Sequence, residues 1–205
     1  MPVIMWRNNS SSGVVVSKII SRAIGLVVDS QGNVYVNDPD YHWVTKWVPN
    51  AANGTVAAGT GTPGTNDQHL YYPYGLLFDE LHSYLYVVDL YNNRIQRYTI
   101  GISTSGTTVA GGNGQESSSN QLYYHQAACV SKNTGDIYIA DAYNNCLQKW
   151  SVESTSGVTI ADTAGVYGSV ATLLYGPANV TLSLNEIILD VGDLNNNRVQ
   201  SFQLI

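Results

Sequence analysis

Asp89-Leu90-Tyr91-Asn92-Asn93-Arg94-Ile95-Gln96-Arg97-Tyr98 has three further copies in this chain. They are Asp38-Pro39-Asp40-Tyr41-His42-Trp43-Val44-Thr45-Lys46-Trp47, Asp141-Ala142-Tyr143-Asn144-Asn145-Cys146-Leu147-Gln148-Lys149-Trp150 and Asp193-Leu194-Asn195-Asn196-Asn197-Arg198-Val199-Gln200-Ser201-Phe202. The leading aspartates Asp38, Asp89, Asp141 and Asp193 stand 51, 52 and 52 residues apart. A period of that length belongs to propellers and arrays, not to short-period solenoids.

Around each copy the sequence reads as four short strands. The first is Gly25–Val28, Gly75–Phe78, Ala127–Val130 or Ala178–Thr181, and the second is Val34–Val36, Tyr84–Val88, Ile137–Ile139 or Ile187–Leu189. The third is Val44–Trp47, Ile95–Tyr98, Leu147–Trp150 or Val199–Phe202, and the fourth is Thr55–Ala57, Thr108–Ala110 or Thr159–Ala161. β-Branched and aromatic residues dominate, Asn and Gly mark the turns, and no stretch sustains a helical period. The third strand carries an aliphatic residue and, three positions on, an aromatic one, which puts apolar side chains on both faces. Four-stranded units that are apolar on both faces bury them by radial stacking. The fold expected is an all-β propeller. The second strand of the last unit contains Asp190-Val191-Gly192, which predicts a distortion there.

Leu70, Pro73, Gly75, Tyr86, Asp89, Asn92-Asn93-Arg94-Ile95-Gln96 and Val109-Ala110-Gly111-Gly112 together resemble the NHL repeat. The resemblance runs over nearly the whole chain. It implies a β-propeller, and it leaves function open, because such scaffolds carry binding modules and a minority of enzymes. The copies depart from the pattern where Trp43 and Cys146 replace the arginine of Arg94 and Arg198. The whole chain, 1–205, reads as one propeller domain with repeats at roughly 18–66, 67–118, 119–169 and 170–205. Residues 1–17 supply further strands (Val3–Trp6 and Gly13–Val16), of which the second is expected to complete the last blade. Two arrangements are open, a closed four-bladed ring or a segment of a larger propeller; oligomers through unmatched end strands fit the second.

Charged residues are only 12% of the chain, with 9 Lys and Arg against 15 Asp and Glu, giving a net charge of -6. Nucleic-acid binding is therefore not expected, since it rests on clustered basic side chains. Nor is a membrane span, because no apolar run approaches ~18 residues. The first 16 residues do not read as a signal peptide, and extracellular and cytoplasmic locations are both open. Cys129 and Cys146 fall on first and third strands of one unit, ~10 Å apart across the intervening strand. That is beyond disulfide reach.

Candidate sites follow from the repeat register. The aspartates Asp38, Asp89, Asp141 and Asp193 with Asn93, Asn145 and Asn197 read as structural: Asp accepts turn N–H groups and Asn tolerates left-handed backbone. One carboxylate per loop is poor for calcium, and His42, His69, His82 and His125 share no register that would gather a zinc ion. No metal and no cofactor is expected. Fifteen of the chain's aromatic residues are tyrosines. They concentrate where loops enter first strands, at Tyr71, Tyr72, Tyr74, Tyr123, Tyr124 and Tyr175, with His125 beside them. Rigid amphipathic rings suit a contact surface, so the leading expectation is a non-catalytic module presenting a Tyr- and Asn-rich face to a protein or glycan. The alternatives are a lyase- or lactonase-like enzyme with a metal in the channel, and a structural repeat without a site.

Overall fold

The computed structural model describes residues 3–5, 14–17, 20–161 and 165–204. Trp6 and Gly13 lie outside them. Three four-stranded antiparallel meanders follow one another. They are β3(Leu26–Val28) to β6(Thr55–Gly59), β7(Pro73–Asp79) to β10(Thr107–Gly111), and β11(Ala127–Val130) to β14(Val158–Ala161). A three-stranded sheet, β15(Pro177–Leu182), β16(Ile188–Asp193) and β17(Arg198–Gln203), comes last. The second strands are β4(Val34–Asp38), β8(Tyr84–Asp89) and β12(Ile137–Asp141), and the third are β5(Trp43–Trp47), β9(Arg94–Thr99) and β13(Cys146–Trp150). The only helical turns among the described residues are 3₁₀ turns at Leu90–Asn92 and Leu194–Asn196.

Strand alternation explains how each sheet serves two neighbours. In β8, Leu85 and Val87 join Tyr35, Val44, Ala58 and Leu70 in the core between sheets one and two. Tyr86 and Val88 of the same strand point the other way, into the core with Ile137, Ile139 and Trp150 of sheet three. Then Tyr138, Ala140 and Leu147 meet Val180, Leu189 and Val191 of sheet four. Both faces must be apolar, as the sequence requires, because period two sends successive side chains to opposite neighbours.

The third-strand aliphatic position shows where stacking stops. Val44, Ile95 and Leu147 are fully buried by the following sheet, whereas Val199 is 72% exposed. Among the described residues nothing covers that face of sheet four. At the other end, β1(Val3–Met5) and β2(Val14–Ser17) pair with each other. Val3 packs against Ile20, Val34, Val36 and Trp47 of sheet one. The expected completion of the last blade by the N-terminal strand is therefore not what the pairing shows: β17 bonds to β16, and the β1–β2 pair covers sheet one instead. The four sheets form an open array, not a closed four-bladed ring.

The distortion expected at Asp190-Val191-Gly192 is confined to the β15 side, where register shifts between Pro177 and Asn179, opposite Asp193 and Gly192. Register between β16 and β17 is unbroken from Ile188 to Asp193. Asp190 accepts a hydrogen bond from the Ser201 hydroxyl on the adjacent strand, and Gly192 lies opposite Val199. Cys129 and Cys146 lie on β11 and β13, with β12 between them.

Candidate binding face

Each blade fastens its entry loop with one buried aspartate at the end of its second strand. Asp38, Asp89, Asp141 and Asp193 are fully buried. They accept main-chain N–H bonds from Ser21 (2.6 Å), Tyr71 (2.6 Å), Tyr123 (2.8 Å) and Tyr175 (2.7 Å). Three of these donors are tyrosines, so the anchor fixes the backbone that carries the aromatic loop. The second carboxylate oxygen takes the Nδ2 of Asn92, Asn144 or Asn196. Those amides also donate to the loop carbonyls of Gly64, Glu116 and Gly168.

Arginine completes the anchor in two blades. Arg94 gives Nε to Asp89 at 2.7 Å and its remaining nitrogens to the carbonyls of Thr65, Asn66 and His69. Arg198 repeats this at Asp193, reaching Ser169, Val170 and Leu173. In the third blade Cys146 takes the arginine's place. Burial then raises the Asp141 carboxyl to about 7, only partly offset by Asn144 and the Tyr123 N–H. At Asp193 burial acts in the same direction, but Asn196, Tyr175, Arg198 and Gln200 outweigh it and hold the carboxyl below its ordinary range.

The residue four past each aspartate locks one blade to the next. His42, Asn93, Asn145 and Asn197 all have positive φ, 51–55°. His42 Nδ1 accepts the Tyr72 N–H at 3.1 Å, Asn93 Oδ1 that of Tyr124 at 3.5 Å, and Asn145 Oδ1 that of Gly176 at 3.0 Å. These three acceptor sites share a register, and so do their partners. Gly176 adopts φ +61°, where glycine carries no steric cost. Tyr72 and Tyr124 adopt the same left-handed conformation, at φ +60° and +53°. For a bulky L-residue that costs ~1–2 kcal/mol.

The strained backbone aims both rings into one continuous aromatic run. Tyr72 stacks on Tyr91 with centroids 4.7 Å apart, and Tyr124 stacks on Tyr143 at 4.6 Å. Tyr91 and Tyr124 join the two stacks across the blade boundary at 6.2 Å. Tyr71 and Tyr123 brace Tyr91 and Tyr143 edge-on, at 5.1 and 4.9 Å. The Arg22 guanidinium caps the run, 5.1 Å from the Tyr72 ring centre. Tyr91 and Tyr143 are its crests, 42% and 55% exposed.

Residues 126–150 match the family model of the NHL repeat. An NHL repeat is thus matched in the third blade. Among curated proteins none is similar in sequence. Solved structures with the same fold include an auxiliary nutrient binding protein from Bacteroides thetaiotaomicron, at TM-score 0.71 and 15% identity, covering 93% of this chain and 49% of that one. A second auxiliary nutrient binding protein, from Bacteroides ovatus, gives 0.69 and 13%, covering 93% and 50%. A chain of the nidogen/laminin complex gives 0.68 and 16%, covering 95% and 66%. This chain spans about half to two thirds of the length of these structures.

Of the tyrosines singled out in the sequence, Tyr71, Tyr72, Tyr123 and Tyr124 come together. Tyr175 forms a separate stack with Tyr167 on the fourth blade, at 4.8 Å. Tyr74 does not belong to the run: it is half-buried against the core between blades two and three. His125 must also be struck from the face. It is fully buried, donates its Nε2–H to the Arg94 carbonyl at 3.0 Å, and has its pKa pushed down to about 4 by desolvation. Arg22, Tyr91 and Tyr143 escaped sequence reasoning, although the two tyrosines stand two residues past repeated aspartates.

The other candidate surfaces of the scaffold are spent on its own structure. Lys46, Arg97 and Lys149, in one register, lie over the rings of Tyr35, Tyr84 and Tyr138 at 5.4, 4.5 and 6.0 Å. First strands of all four blades line an open cavity of about 380 Å³, with Leu26, Leu76, Ala128, Cys129, Asn179 and Val180 on its walls. Its lining holds no carboxylate or imidazole. Burial pushes the Cys129 thiol up to about 12, far from a nucleophile's range. Among the described residues no group of three or more His, Cys, Asp and Glu is placed to hold a metal.

Proposed function

We infer that this NHL-repeat propeller is a non-catalytic binding module whose ligand, a protein or a glycan, lies across the Tyr72–Tyr91–Tyr124–Tyr143 run. One observation carries the reading: Tyr72 and Tyr124 hold their rings in that run from a backbone conformation that the fourth blade gives to glycine. Strain of this kind persists where surrounding structure over-determines it, and it concentrates at functional sites. Rigid exposed tyrosines provide contact area at little entropic cost. Proteins of the same fold described as nutrient-binding, and one from a nidogen/laminin complex, accord with a binding role.

The test is a protein and glycan array probed with the wild-type chain and with a Tyr91→Ala/Tyr143→Ala double variant. Both side chains are exposed and neither has positive φ, so the variant is expected to fold. A ligand captured by the wild type and lost by the variant supports the reading. Equal capture by both chains places binding elsewhere and overturns it.

A further inference from the structure

We propose that blade three holds a monovalent metal cation at the place where Arg94 and Arg198 put their guanidinium groups in blades two and four. The inference stands apart from the reading of the tyrosine face.

The loop that receives the arginine follows one course in all three blades. Asn92, Asn144 and Asn196 each donate to a carbonyl 28 residues back, at Gly64, Glu116 and Gly168. The N–H groups of His69, Gln121 and Leu173 then reach the carbonyls of Asn66, Ser118 and Val170, at 3.2, 2.9 and 3.0 Å. Arg94 grips this loop at the carbonyls of Thr65, Asn66 and His69, and Arg198 at those of Ser169, Val170 and Leu173. In the same register, the blade-three oxygens belong to Ser117, Ser118 and Gln121.

Blade three keeps these acceptors without the arginine. Cys146 ends at Sγ, well short of where Arg94 carries its charge. Asp89 Oδ2 accepts from Asn92 and Arg94, and Asp193 Oδ2 from Asn196, Arg198 and Gln200. Asp141 is equally buried and accepts from Asn144 and Tyr123, but among the described residues it pairs with no cation. On the same loop Gln121 Oε1 is buried and has no hydrogen-bond partner among the described residues. The donor set is thus one carboxylate and several neutral oxygens, all acceptors.

Three occupants differ in how many of those oxygens they satisfy. A proton on Asp141 serves the carboxylate and leaves the carbonyls as they were. Water has two protons to give. A cation serves the whole set at once, and buried charges are paired or coordinate metals; carbonyl oxygens replace the hydration shell of an alkali ion in the same manner. Charge balance sets the valence, since one carboxylate offsets one positive charge, as it does for guanidinium, and suits calcium poorly. Blade one lacks such a site: Asp38 there collects main-chain N–H groups from Ser21, Arg22 and Asp40, and bulky Trp43 takes the arginine's position.

The experiment is thermal unfolding of the full chain in potassium, sodium or N-methylglucamine chloride at equal ionic strength, with calcium chloride as a further arm. Potassium or sodium should raise the melting temperature by about 3–6 °C over N-methylglucamine when tenfold above its dissociation constant. The ion with the larger effect is the one bound. Cys146→Arg, which brings its own guanidinium, and Asp141→Asn, which lacks the charge, should both lose the response. Equal melting temperatures in the three monovalent salts overturn the proposal. So does an alkali-ion response that survives in either variant, or a response to calcium alone.

Discussion

Replacing Arg94 by cysteine would give blade two the anchor that blade three already has. Four charge-assisted hydrogen bonds disappear: one to Asp89 at 2.7 Å, and others to the carbonyls of Thr65 at 2.7 Å and of Asn66 and His69 at 3.0 Å. Asp89 keeps the Tyr71 N–H and Asn92 but loses its cation. Asp141 shows the consequence, since without an arginine its carboxyl stands at about 7 against an ordinary 3.8. At 1.36 kcal/mol per pH unit the difference corresponds to about 4 kcal/mol of ionised-state penalty at neutral pH. Removing one partner of a buried pair costs about 3–5 kcal/mol, the same size. The expected loss for Arg94→Cys is therefore about 3–5 kcal/mol at pH 7.5, or about 10 °C in melting temperature.

The pH dependence separates this mechanism from simple loss of packing. A carboxyl whose folded-state pKa is raised contributes stability that is complete below its unfolded value and lost as pH climbs through its folded value. Burial already holds the Asp89 carboxyl above its ordinary value beside Arg94, and losing the cation raises it further, so the deficit should shrink between pH 7.5 and pH 4.5. Asp141 titrates alike in both chains and cancels in the difference. Urea unfolding followed by tryptophan fluorescence at the two pH values measures it. A deficit under about 1 kcal/mol, or one equal at both pH values, would refute the reasoning.

Cys146→Arg is the converse change: it should lower the Asp141 carboxyl and raise the melting temperature by about 2–4 °C for each kcal/mol gained, which a thermal scan checks. In the wild type, burial of Asp141 predicts stability that falls as pH rises from about 4 through about 7; Asp141→Asn should flatten that slope in unfolding curves. Tyr72→Gly with Tyr124→Gly exchanges the strained rings for the residue found at Gly176. Stability should stay within about 1–2 kcal/mol of wild type while ligand capture falls, and a larger drop would show that the rings are packing residues. The unfolded, unreduced chain should react with about two equivalents of thiol reagent, whereas native Cys129 should react slowly, its thiol pushed up to about 12.

Much of the scaffold was legible because repetition exposes register. Once the four aspartates were aligned, strand positions, the two-faced apolar pattern and the anchoring role of Asp and Asn followed from pleat and turn chemistry alone. What lay hidden depends on how one blade meets another. Tyr74 and His125 occupy the same loop-entry cluster as Tyr72 and Tyr124, yet the first packs into a core and the second binds the Arg94 carbonyl. No local pattern distinguishes them. Tyr91 and Tyr143 were visible in register, but their stacking on Tyr72 and Tyr124 required the path of the loop. The fate of the N-terminal strands was also undetermined, since β1 and β2 satisfy each other's edges as well as they would satisfy β17's.

Two of the positions where the sequence breaks its own local rule, Tyr72 and Tyr124, build the face; His42, Ser83, Glu153 and Glu186 break it elsewhere. Left-handed backbone calls for glycine or asparagine, and the chain supplies them at Gly176, Asn93, Asn145 and Asn197. It departs from that choice at Tyr72 and Tyr124, in the blades whose turns also carry Tyr91 and Tyr143. In the fourth blade, where glycine returns, the turn residue is Asn195 and the run ends. Strain and stacking partner thus appear together and vanish together. Disagreement between local preference and observed conformation marks functional or strained positions when the rest of a sequence is self-consistent. Here that disagreement coincides with an exposed aromatic surface, and not with a packed core.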